Sequence, residues 1–260
     1  TPENVYQPAH KDNRNTLFEI VKTSHLPGST ILGEENIVKL SELASQGKTC
    51  IILSQHLSNL DVPSMFVRFY DHPNPKMKDI FEKIIFVAGV KLNETPLVKL
   101  FSEMFSRIVL VPLSSMAKMK SQEEMDLAKR INIAATRKLA ELRKLGYIFL
   151  MYPAGTRYRP WKPETKKGIK ETVSYINSFD YFCCCSINGN NMPPKEHEDM
   201  TREQFVDDTL VFNFGEIKDS KQYIAELTNS QNLFDKDDKE NIKQYIVDKI
   251  MDEIDVLNDN

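Results

Sequence analysis

Cys50-Ile-Ile-Leu-Ser-Gln-His-Leu-Ser-Asn-Leu-Asp-Val-Pro63 is the stretch whose reading decides the fold. Its first four residues form an unbroken apolar run, as expected of a strand buried on both faces. Ser54, Gln55, Ser58 and Asn59 then break the run, and Val62 to Tyr70 has the composition of a helix. Pro63 is tolerated there because the N–H it lacks would have no partner in a first turn. The segment is therefore a strand, a tight turn and a helix, with His56 and Asp61 set into the turn.

The same unit recurs along the chain. Strands are expected at 49–54, 83–87, 107–111, 147–152, 181–187 and 209–217, and helices at 16–24, 33–45, 62–70, 95–105, 123–145, 166–179, 221–227 and 239–257. The helix at 123–145 is the clearest. Met125, Leu127, Ala128, Ile131, Ala135, Leu139 and Leu142 make an apolar stripe, and Gly146 supplies its stop. Strands alternating with helices predict an α/β fold with a mostly parallel mixed sheet covered by helices on both faces. Residues 1–30, polar and broken by prolines, are expected as a helical N-terminal extension, with one domain over 31–260.

A chain of 260 residues with 41% hydrophobic and 27% charged residues is globular in composition. Its net charge of -3 argues against general nucleic-acid binding. No apolar run approaches the roughly 18–20 residues that span a bilayer. Cys183, Cys184 and Cys185 are adjacent, unlike a disulfide framework or a zinc site, so all four cysteines are expected as buried thiols and no metal is expected. That predicts a reducing setting, cytoplasm or organelle stroma, with room for peripheral membrane contact.

Two segments carry chemistry. In a parallel sheet, ligands bind beyond the carboxyl ends of the strands, where both His56 and Arg157 fall. A neutral imidazole takes a proton near pH 7, and a carboxylate fixes its tautomer. Five residues separate His56 from Asp61, too far to meet along a regular helix but within reach across a turn. The same spacing also suits His56 bonded within a loop and Asp61 as a helix N-cap. The second segment is Tyr152-Pro-Ala-Gly-Thr-Arg-Tyr-Arg-Pro160. Gly155 allows close backbone approach, Thr156 adds a hydroxyl, and Arg157 and Arg159 offer forks suited to phosphate. Arg107 and Lys118 are further candidates for that cluster. Met116, Met119 and Met125 suit either an acyl-chain wall or ordinary core. Lys162, Lys166, Lys167 and Lys170 beside Trp161 suit either an anionic surface or a solvated helix face.

Together, in order, each after a strand, these segments resemble two signatures of the glycerolipid acyltransferases. His56-Leu-Ser-Asn-Leu-Asp61 resembles H-x-x-x-x-D, and Tyr152-Pro-Ala-Gly-Thr-Arg157 resembles Phe-Pro-Glu-Gly-Thr-Arg. The finer resemblance is to soluble plastid-type glycerol-3-phosphate acyltransferases, through Gly155-Thr-Arg-Tyr-Arg-Pro160, Met192-Pro-Pro194 and Val211-Phe-Asn-Phe-Gly215. The chain departs from the commoner signature at Ala154, and Ser114 and Ser115 stand where a basic pair would. The resemblance implies His56 as general base, Asp61 as its orienting partner, and Arg157 and Arg159 as holders of the phosphate of glycerol 3-phosphate. It also implies acyl carrier protein or coenzyme A thioester as co-substrate, with no further cofactor. An acyltransferase acting on lysophosphatidate, or a noncatalytic lipid- or acyl-carrier-binding protein, is the alternative.

Overall fold

The run at Cys50–Ser54 forms a strand, β3, with every residue buried. It lies between two parallel neighbours, β6 (Ile148–Met151) and β7 (Tyr181–Asn188). The structure, a computed structural model, describes residues 1–90, 96–196, 203–230 and 238–258. The remaining strands are β1 (Tyr6–Gln7), β2 (Thr30–Leu32), β4 (Ile84–Gly89), β5 (Arg107–Leu110), β8 (Val211–Phe214) and β9 (Lys218–Asp219). They form one sheet in the order β1-β5-β4-β6-β3-β7-β8-β2, with β9 also on β7. The pairs β5/β4, β4/β6, β6/β3, β3/β7 and β8/β2 are parallel, whereas β1/β5, β7/β8 and β7/β9 are antiparallel. The fold is thus α/β with a mostly parallel mixed sheet.

Period-two alternation divides the core between the two faces. Cys50, Ile52, Ile148, Leu150, Cys183 and Cys185 face one layer. There they meet α1 (Arg14–Thr23), α2 (Glu34–Ser45), α3 (Asp61–Tyr70) and α4 (Lys76–Glu82). Ile51, Leu53, Phe149, Phe182 and Cys184 face the other. That layer holds the later helices α7 (Gln122–Leu142), α8 (Thr172–Ile176) and α10 (Lys239–Asn258). The cysteine triplet is divided by the same alternation, and all four thiols are free and buried. Among the described residues the other α-helices are α5 (Pro96–Glu103), α6 (Leu113–Met116) and α9 (Ser220–Ser230).

Several expectations needed correction. The Pro-rich stretch after Tyr70 runs directly into α4, whose Met77, Ile80 and Phe81 are core residues. The N-terminal residues carry strands as well as a helix: β1 pairs with β5, and Leu17 and Val21 of α1 reach the core. The helix expected over 166–179 is reduced to α8. The amide of Ile169 bonds to the carbonyl of Pro153 instead of continuing a helix. A Cβ on Gly168 would lie 2.6 Å from Val247 of α10, so the chain there is pressed flat against that helix. The long helix ends at Leu142, followed by a 3-10 turn to Leu145, and is opened by a capping box between Ser121 and Glu124. Among the described residues no helix is long and apolar enough to cross a membrane.

Candidate active site

β3 and β6 are hydrogen-bonded neighbours running the same way, with Leu53 opposite Met151. Their carboxyl ends are therefore adjacent, and the His56 and Arg157 loops leave the sheet side by side. The backbone amide of Gln55 extends the pairing by donating to the Cys185 carbonyl at 2.9 Å. Its side-chain oxygen accepts from the Ile187 amide at 3.1 Å. The chain then turns, and Asp61 folds back over its own loop. Asp61 Oδ2 lies 2.7 Å from His56 Nδ1 and accepts from the Leu57 amide at 2.8 Å. Its Oδ1 accepts from the Ser58 amide at 3.0 Å. Asp61 is the first residue of α3 and makes no capping bond to it. Its carboxylate serves the histidine loop, so the N-cap reading is excluded.

Asp61 is only 4% exposed, and the His56 side chain 20%. A carboxylate at Nδ1 requires the proton on that nitrogen, which leaves the Nε2 lone pair as an acceptor. The ring plane is fixed from the neighbouring loop. Tyr152 stacks on His56 with ring centroids 3.9 Å apart and planes 10° from parallel. The Tyr158 amide donates to the His56 carbonyl at 2.8 Å. Burial, and then the charge of Asp61, raise the Tyr152 phenol well above its ordinary value. A third segment braces the loop from behind: Ser58 Oγ donates to the Met192 carbonyl at 3.2 Å, and Asn190 Nδ2 to the Leu57 carbonyl at 3.3 Å.

The second loop brings Gly155, Thr156, Arg157 and Arg159 together. Gly155 adopts a left-handed conformation (φ +65°), which a glycine takes without strain. Arg159 Nη1 donates to Thr156 Oγ1 at 3.0 Å and to the Arg157 carbonyl at 3.2 Å. Arg157 is buried, and its Nη1 donates to both carboxylate oxygens of Glu203, at 2.9 and 2.7 Å. Asn59 Nδ2, in the histidine loop, donates to the same carboxylate at 3.2 Å.

Two candidates lie apart. Arg107 opens β5 at its amino end, level with Phe86 of β4, and β5 is three places along the sheet from β3. At about 4.8 Å per strand that is roughly 14 Å. Burial lowers its guanidinium pKa, opposed by Glu103, and its Nε has no partner among the described residues. Lys118 lies beyond α6, in the wall of a cavity of about 390 Å³ with Val90, Val111, Met119, Leu127 and Ile131. His56 is not in that wall. Of the basic cluster near Trp161, Lys166 pairs with Asp255 and Lys170 with Glu240, each at 2.7 Å, so α10 neutralises two of its charges.

Sequence reasoning missed Glu203, Asn59 and the stacking role of Tyr152. The last two stood inside the quoted motifs. Glu203 had no local signal. The loop amides ahead of α3 are committed within the loop: those of Leu57 and Ser58 to Asp61, and that of Leu60 to Ser58 Oγ. Among the described residues no three His, Cys, Asp or Glu side chains converge as a metal site would need. The family model described as Acyltransferase matches residues 30–187. Comparison with curated proteins returns no match.

Proposed function

This chain belongs to the acyltransferase family, and we propose that it transfers an acyl group from a thioester of acyl carrier protein or coenzyme A to the sn-1 hydroxyl of glycerol 3-phosphate. The kinship we favour is with the soluble plastid-type enzymes. The observation that carries the reading is the His56 imidazole, bonded through Nδ1 to Asp61 and stacked on Tyr152, at the root of a loop bearing two arginines.

In this reading His56 Nε2 takes the proton from the acceptor hydroxyl as its oxygen attacks the thioester carbonyl. Asp61 stabilises the imidazolium that forms. The tetrahedral oxyanion collapses, the carbon–sulfur bond breaks, and the departing thiolate receives the proton from His56. One ester and one thiol result, with no acyl-enzyme. Arg157 and Arg159 hold the acceptor's phosphate, so binding energy positions its hydroxyl. The cavity at the carboxyl ends of β4 and β5, mostly apolar and with Met119 in its wall beside Lys118 and Glu124, suits an acyl chain.

The test is thiol release from an acyl thioester with and without glycerol 3-phosphate, in wild type and His56→Ala. Acceptor-dependent release, lowered ~10²–10⁴-fold in the variant, is expected of a general base. Release that depends on lysophosphatidate instead would reassign the acceptor. Substrate binding without turnover, indifferent to His56→Ala, would leave a lipid- or acyl-carrier-binding protein.

A further inference from the structure

Arg157, the residue read above as a phosphate holder, already has an anion. Glu203 meets it from 46 residues away. The two side chains are 6% and 2% exposed, so the pair is almost dry. Asn59 completes the arrangement by donating to Glu203 Oε2. One carboxylate thus bridges the histidine loop and the arginine loop, the position a ligand's anionic group would take to be held by both.

The contact has the marks of one that can be exchanged. Both bonds to Glu203 come from a single guanidinium nitrogen, Nη1. A phosphate can instead accept from two nitrogens of the fork at once, with more oxygens and more charge. The chain following Glu203 has no regular structure, and Gln204 to Asp207 are exposed. Among the described residues its ties before Asp208 are two, Gln204 Oε1 accepting from Lys195 Nζ and the Val206 amide bonding to the Asn191 carbonyl, each at 3.0 Å, and the firm anchor is Asp208, held by Ser24, Leu26 and Asn190. Withdrawing Glu203 into water therefore disturbs little packing. Withdrawing it without a replacement would strand a buried guanidinium charge, which is strongly disfavoured. A neutral acceptor cannot supply that replacement, whereas a dianion can.

We propose that Glu203 is a specificity-determining residue, an internal competitor whose carboxylate holds Arg157 until the phosphate of the acceptor displaces it. The inference rests on Arg157 as the phosphate holder of the proposed reaction. It adds a reason for the site to reject unphosphorylated glycerol.

The experiment is calorimetric binding of inorganic phosphate and of glycerol 3-phosphate, at fixed ionic strength and without thioester, to wild type, Glu203→Gln and the Glu203→Gln/Arg157→Ala double variant. Losing a charge-assisted competitor is worth about tenfold or more in affinity, so Glu203→Gln should bind both anions about tenfold tighter, and the double variant should lose the gain. A folded Glu203→Gln with equal or weaker affinity overturns the proposal. Hydrogen exchange on wild type decides the matter should the variant not fold. Saturating glycerol 3-phosphate should speed exchange at Gln204 to Asp207, and unchanged or slower exchange there overturns it. Because no turnover is measured, the two readings fail separately. Displacement without acyl transfer removes the proposed reaction alone, whereas acyl transfer without displacement removes the role of Glu203 alone.

Discussion

Asp61→Asn tests the site at the point where geometry and charge are inseparable. The carboxylate lies 2.7 Å from His56 Nδ1 and accepts the amides of Leu57 and Ser58. Asparagine has nearly the same shape but no charge. At an effective dielectric of about 20, unit charges at this distance attract by about 6 kcal/mol. A neutral hydrogen bond restores about a quarter of that, so the imidazolium formed during proton transfer loses about 4–5 kcal/mol. The side-chain amide can also turn its NH₂ toward Nδ1, which moves the ring proton to Nε2 and removes the base. Either route predicts a fall in kcat of about 10³–10⁴-fold. Stability should fall less, by about 1–3 kcal/mol, because one oxygen remains for the two backbone amides. Initial rates of acceptor-dependent thiol release, with a thermal melt on the same preparation, separate the two effects. A folded Asn variant within tenfold of wild type, or a loss confined to KM, would refute the pairing as the source of catalysis.

Other parts of the molecule make independent predictions. Tyr152→Phe should keep kcat, whereas Tyr152→Leu, which removes the stack on His56, should lower it about two- to tenfold with KM unchanged in steady-state assays. Both ring nitrogens of His25 are buried without a partner among the described residues, and burial, reinforced by Arg68 and opposed by Asp71, lowers its pKa from 6.5 to about 4. The unfolded chain takes that proton first, so stability is full above pH 6.5 and falls toward pH 4, by about 2–3 kcal/mol after solvent screening. Urea denaturation of His25→Phe should lack this loss, and parallel wild-type and variant curves would exonerate the ring. Burial pushes the thiols of Cys50 and Cys185 up to about 12, so a disulfide reagent at mild alkaline pH should modify no cysteine until urea is added. Arg14 is buried, donates to the Met104 carbonyl at 2.6 Å and pairs with Glu82. Arg14→Met should cost about 3 kcal/mol in denaturant unfolding, and a loss below 1 kcal/mol would show that the pair contributes little.

What could be read in the sequence was whatever local pattern encodes. The buried strand before His56 is an apolar run, and the turn that returns Asp61 to the histidine is announced by Ser58, Asn59 and Pro63. Strand order is not encoded locally. Arg107 opens a strand as plainly as Cys50 does, yet nothing nearby says that its strand lies three places from β3. The two residues of β1 are strand only because β5 offers them an edge. Pro73 and Pro75 concealed α4 because prolines that end one element also sit comfortably before the next. The helix expected after Lys166 fails for a tertiary reason, the loss of an amide to the Pro153 carbonyl. Glu203 is the clearest case. A charged residue in an aperiodic stretch reads as solvated surface, and only the folded chain puts it on Arg157.

The precision of the site is therefore borrowed from the sheet. His56 and Arg157 belong to two loops that leave adjacent strands. They are held together by the parallel register of β3 on β6, in which Cys50 to Leu53 face Ile148 to Met151 one for one. A slip of one residue would exchange the two faces of β6, sending Phe149 toward the layer of α2 and α3 and Leu150 toward α7. It would also carry Tyr152 off the imidazole. Both faces of the sheet are fully packed, so such a slip would expel several core side chains at once. The same burial that makes the central strands easy to recognise in the sequence also fixes the separation of a proton acceptor and an anion-binding loop, which the Tyr158–His56 bond and the Tyr152 stack then refine.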